Sequence, residues 1–166
     1  MNNQKYAEIE LKHIQLELKN NRAQHMRHFV DQYFCYRNGY IKKTGAANWE
    51  GIVWNETVSL AALNLAKDKA GNRRKVVKEH VVPLKVITVA LCELRDKNNI
   101  SVSEIAKCLD RLVNFATITK EEDTLLRQAG LSSKMPPGYY QKNHRLYQDP
   151  FSRYRSAGIA FVVNKG

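Results

Sequence analysis

Two places in the chain carry the same helix-starting signature, Ser101 with Glu104 and Thr119 with Glu122. At that spacing the hydroxyl accepts from the backbone N–H three residues on. The carboxylate then reaches back to the hydroxyl residue's own N–H, so two otherwise unpaired donors are satisfied and a helix starts there. Apolar residues follow at helical spacing: Ile105, Leu109 and Leu112 after the first signature, Leu125, Leu126 and Ala129 after the second, with Gly130 as a stop. Between them residues 113–118 lose the helical period. They read as a short strand, with residues 159–163 as the candidate partner.

Helical spacing recurs elsewhere. Ala7, Leu11, Ile14 and Leu18 share one face of a helix that ends near Asn20 and Asn21. Met26, Phe29, Val30, Tyr33, Phe34 and Arg37 form a second, stopped by Asn38-Gly39, and the short connection predicts an antiparallel helical hairpin. Residues 38–54 fit either a short β-hairpin or an irregular loop, bracketed at the end by Trp49 and Trp54, two large aromatics suited to covering the edge of a core, with stacking on a base as the alternative. Asn55 is a candidate cap for a third helix reaching Ala66, followed by a charged loop with a turn at Gly71-Asn72. The β-branched pairs Val76-Val77 and Val81-Val82 favour a brief extended segment, and Pro83 suits the first position of a helix to about Asp96. Met135-Pro136-Pro137-Gly138 opens a long loop, and Asp149-Pro150 starts a short helix closed by Gly158. The fold class expected is α+β, predominantly helical: a single domain over 1–166 with about six helices and a small two- or three-stranded sheet.

A chain of 166 residues, 43% hydrophobic and 26% charged, can bury an adequate core without metal or disulfide. Cys35, Cys92 and Cys108 are widely separated and read as buried free thiols, which with the polar residues after Met1 points to a reducing, cytoplasmic setting. The longest near-continuous apolar stretch, residues 86–92, is far too short to cross a membrane. No membrane partner is expected.

The net charge is +11 at pH 7, and its distribution is uneven. Residues 67–78 hold six Lys/Arg against one acid, and residues 134–155 hold five against one, whereas residues 79–133 are slightly acidic. Cations concentrated this way attract polyanions, of which nucleic acid is the commonest. The first segment offers Lys67, Lys69, Arg73, Arg74, Lys75 and Lys78. The second interleaves Lys142, His144, Arg145, Arg153 and Arg155, read as exposed cationic groups, with Tyr139, Tyr140, Tyr147, Phe151 and Tyr154, a mixture in which cations neutralise phosphates and rings stack on unpaired bases. DNA or RNA is the expected partner. An acidic protein docked on the same basic face, with the chain acting as an inhibitor or adaptor, is the competing one.

No Gly-rich phosphate loop, G-x-S-x-G elbow or Cys-x-x-Cys pair occurs, which disfavours nucleotide hydrolysis, serine hydrolase chemistry and a zinc ribbon. His25 and His28 stand three apart on the second helix, but Asp31 is the one acid within a turn and Arg22 and Arg27 oppose a cation there, so they read as a solvated face. One short run has a catalytic character, Glu79-His80-Val81-Val82-Pro83. It resembles the opening motif of the HNH or His-Me finger endonucleases: an acid, a histidine, two apolar residues and often a proline. The resemblance covers five residues and implies His80 as general base and Glu79 as ligand to Mg²⁺ or another divalent cation. The chain departs from the pattern where a long apolar helix follows Pro83. No spacing singles out Asn98, Asn99 or Asn114 as the next motif residue, and Asn143, His144 and Asp149 could instead approach through space. On this reading His144 joins His80 in catalysis, Asp149 joins Glu79 at the metal, and Arg153 or Arg145 faces the charge developing on phosphorus. Without nuclease activity no cofactor is expected.

Overall fold

Ala7, Leu11, Ile14 and Leu18 do lie on one buried face, that of helix α1 (Asn3–Lys19), in the computed structural model, which describes residues 3–162. Helix α2 (Met26–Asn38) packs against α1 and ends at Gly39, whose φ of +78° is a conformation glycine adopts without a Cβ clash. The Ile41–Ala47 stretch closes as a tight antiparallel turn, with the Lys42 N–H donating to the Ala46 carbonyl at 2.8 Å. Helices α5 (Leu84–Asp96) and α6 (Val102–Leu112) complete the first of two compact units, Met1–Ile52 with Leu84–Val113. Its core is formed by Ile14, Leu18, Val30, Ile87, Leu91, Ile105 and Leu109, all essentially solvent-free. Each such side chain contributes roughly 1.5–3 kcal/mol by leaving water.

The second unit, Val53–Pro83 with Asn114–Gly166, contains the sheet. Strand β3 (Phe115–Thr119) is central, with β1 (Thr57–Val58) parallel on one side and β2 (Val76–His80) antiparallel on the other. The partner expected for the central strand was residues 159–163. The described part of that stretch instead meets the far side of the β1 region, where Ser59 and Phe161 form an isolated bridge, while Val163 lies outside the described residues. β2 takes the long edge of the central strand because its five residues match β3 one for one, from Val76 opposite Thr119 to His80 opposite Phe115.

The third helix also begins later than Asn55. Thr57 and Val58, good strand residues, pair with Ala116 and Thr117, so the cap passes to Ser59, whose hydroxyl accepts from Ala62 N–H at the start of α3 (Leu60–Leu65). The charged segment that follows is a run of short helical turns including α4 (Lys69–Asn72), not a single turn at Gly71-Asn72. Helix α7 (Lys120–Gln128) leaves β3 directly, and α8 (Ser152–Ser156) closes at Gly158, φ +74°. Val81, Ala116, Ile118, Leu126, Leu131, Tyr154 and Ile159 form one core of this unit, and Val53, Ala62 and Val76 with Trp54 form another. Trp54 thus covers a core edge, whereas Trp49 is 41% exposed and meets His28 edge-on. The chain is α+β and mostly helical, with a three-stranded mixed sheet. Cys35 and Cys108 are buried free thiols, Cys92 only half-buried, and no helix among the described residues is long and apolar enough to cross a membrane.

Candidate nucleic-acid interface

Strand β2 sends successive side chains to opposite faces of the sheet, and both of its ends, Val76 and His80, are buried. Val77, Glu79 and, just beyond the strand, Val81 belong to the side packed with Ala116, Ile118 and Tyr154. Lys78 and His80 flank the Phe115 ring on the other side: the His80 ring lies 4.4 Å from it between centroids, and Lys78 Nζ is 4.8 Å from its centre. His80 is 6% exposed, so its imidazole is largely enclosed.

Glu79 meets Arg153. The sequence places Arg153 in a cationic segment as a solvent-facing charge, but the side chain is 0% exposed. Its Nε donates to the Val81 carbonyl (3.0 Å) and one terminal nitrogen to the Leu131 carbonyl (3.1 Å). The other terminal nitrogen donates to Glu79 Oε2 (2.6 Å), to the His80 carbonyl and to the Tyr154 hydroxyl (3.1 Å). A guanidinium is buried only when its donors are matched, and this one draws the end of β2, the stretch after α7 and α8 together. It therefore does not face a phosphate. Burial pushes the Tyr154 hydroxyl far up from the ordinary tyrosine range, with the nearby Arg153 charge opposing.

The acids expected at a metal are likewise engaged. Glu79 holds Arg153, and Asp149 accepts from Phe151 N–H (3.0 Å) and pairs with Arg155 Nε at 2.7 Å. Among the described residues no three His, Cys, Asp or Glu side chains gather in a way that would hold a metal ion. The donor set does not fit a divalent cation in this arrangement.

The basic segments are built differently from each other. In the first, Asp68 caps the short turn by accepting from Gly71 N–H (2.9 Å), and Asn72 Nδ2 ties back to the Leu65 carbonyl (3.0 Å). These local bonds hold the turns while Lys67, Lys69, Arg74 and Lys75 stand exposed. Arg73 and Lys78 are half-buried, Arg73 donating to the Val76 carbonyl at 3.3 Å.

The second is an ordered loop. A 3-10 turn over Pro137–Tyr140 leads into backbone bonds from His144 N–H to the Gln141 carbonyl (2.9 Å) and Tyr147 N–H to the His144 carbonyl (2.9 Å). Gln148 N–H closes the loop on the Tyr139 carbonyl at 3.0 Å. His144 Nδ1 accepts from Leu146 N–H (3.1 Å), and its ring lies so close to Gly138 that a Cβ there would come within 2.3 Å. The missing side chain of Gly138 thus leaves the space that the His144 ring fills, a requirement that no local sequence signal reveals. Lys142, His144 and Arg145 are exposed on this loop, and Arg155 is exposed on α8. Of its rings Tyr154 is buried, Tyr139, Tyr147 and Phe151 are half-buried, and Tyr140 is 59% exposed.

Both basic segments belong to the second unit, whose sequence holds fourteen Lys/Arg against seven Asp/Glu, so it carries +7 of the total +11. No family model, curated protein or solved structure matches this chain.

Proposed function

We propose that this protein binds DNA or RNA through the exposed cations of its second unit, Lys67, Lys69, Arg74 and Lys75 from one segment and Lys142, Arg145 and Arg155 from the other. The observation that carries this reading is that two segments far apart in sequence fall in the same compact unit and hold eight exposed basic side chains between them, Lys134 included. Phosphates are held by such charges largely irrespective of sequence, with release of counterions. The three free cysteines support a reducing, cytoplasmic setting. Gel-shift titration with random-sequence DNA and RNA across a salt series tests the reading. Binding that weakens steeply with salt supports it. Absence of binding at low salt overturns it in favour of the acidic protein partner.

A second reading, an HNH-like endonuclease, keeps only His80, at the end of β2 in the unit that carries both basic segments, as general base, because Arg153 is enclosed and holds Glu79. Because the acids present do not fit a divalent cation, this reading assigns only proton acceptance, to His80. Incubation of plasmid DNA and of RNA with Mg²⁺ or Mn²⁺, wild type against His80→Gln, tests it. Cleavage lost in a folded variant supports the assignment. Cleavage that survives moves the chemistry elsewhere, and no cleavage by the wild type leaves a binding protein.

A further inference from the structure

The five rings of residues 134–155 are unequally accessible: Tyr154 is buried, Tyr139, Tyr147 and Phe151 are half-buried, and Tyr140 is exposed. Tyr154 is buried, with Arg153 over its face, and Phe151 lies against Tyr154 and Phe161. Tyr147 accepts a hydrogen bond from Gln148 Nε2 at 3.1 Å, and Tyr139 sits edge-on to Tyr140, with centroids 5.0 Å apart and planes at 86°. Tyr140 remains, 59% exposed, on a turn held by Pro136 and Pro137 and by the closing bond from Gln148 N–H to the Tyr139 carbonyl. A ring fixed by its backbone and by a neighbouring ring loses little freedom when a ligand stacks on it. Lys142 and Arg145, both exposed, follow Tyr140 by two and five residues on the same loop.

From this we infer that Tyr140 is the stacking position for an unpaired base, so that the interface takes single-stranded nucleic acid in preference to duplex. The inference rests on the nucleic-acid reading above. In a duplex both faces of each base are already stacked and the ring has no partner to gain, whereas in a single strand a base turns its face to the tyrosine while the lysine and arginine neutralise its backbone.

Fluorescence anisotropy with a labelled mixed-sequence single strand and with the duplex of the same length tests this on the full chain. The single strand is expected to bind more tightly. Tyr140→Ala is expected to weaken single-strand binding by about tenfold and to leave duplex binding and the thermal midpoint unchanged, while Tyr140→Trp retains single-strand binding. Equal affinity for both forms, or Tyr140→Ala binding the single strand as the wild type does, overturns the stacking role while the nucleic-acid reading stands. If neither oligonucleotide binds at low salt, both fall together.

Discussion

Arg153 and Glu79 stand 74 residues apart in sequence and pair at 2.6 Å, with the guanidinium wholly enclosed. The same guanidinium also holds the carbonyls of His80, Val81 and Leu131. Removing it strands a carboxylate and three carbonyls at once. Arg153→Met is therefore expected to destabilise the protein by about 3–5 kcal/mol, the range for breaking one side of a buried pair. Arg153→Lys recovers only part, since an ammonium cannot reproduce the planar fork. Urea denaturation followed by circular dichroism measures both. A variant of normal stability with defective nucleic-acid binding would show that Arg153 acts on ligand instead.

The two capping signatures are unequal, and their variants should be too. At α7 Glu122 Oε2 accepts from Thr119 N–H (2.8 Å) and also from the Ser59 hydroxyl (2.5 Å), all inside the protein. At α6 Ser101 accepts from Glu104 N–H (3.2 Å), but the Glu104 carboxylate turns to Lys107 at 2.7 Å on the surface. Glu122→Ala leaves two buried donors unpaired and is expected to lose about 1–3 kcal/mol. Glu104→Ala is expected to lose well under about 1 kcal/mol. Parallel chemical denaturation of the two variants compares them directly.

Neutralising Lys67, Lys69, Arg74 and Lys75 together with glutamine is expected to weaken nucleic-acid binding across all sequences. The slope of log affinity against log salt should fall by about 1 for each phosphate that these side chains no longer neutralise. The unfolding midpoint should stay where it is, because these side chains are exposed and their local turns are held by Asp68 and Asn72. A salt titration of affinity alongside a thermal melt checks both halves. An unchanged slope would remove this segment from the interface.

Alkaline pH should destabilise the fold through two tyrosines. Burial raises the hydroxyl of Tyr154, and burial with the bond to Asp110 (2.6 Å) raises that of Tyr33. Both folded-state values lie above the unfolded one, so their contribution is fully present below about pH 10 and is lost as pH rises toward the folded values. Tyrosinate absorbance should show two hydroxyls that ionise only when the protein unfolds. Tyr33→Phe with Tyr154→Phe should reduce the pH dependence of the denaturation midpoint above about pH 10. Full ionisation of all eight tyrosines in the folded protein would contradict this.

Local chemistry was readable from the residues themselves. The face of α1, the starts of α6 and α7, the stop at Gly39 and the extended character of residues 76–80 all depend on interactions within a few positions, and each lies where its spacing predicts. The concentration of charge in two segments is likewise a property of the sequence. Pairing across long separations was not readable. Strand β3 had a plausible partner in residues 159–163 and a better one in residues 76–80, and nothing local distinguishes them until five consecutive residues are matched in register. Arg153 looked like its neighbours Arg145 and Arg155, because a charged side chain in a basic run carries no sign of the carbonyls it will meet. Whether an arginine faces solvent or closes a core depends on which distant backbone groups lack partners, and that is decided only when the chain has folded around it.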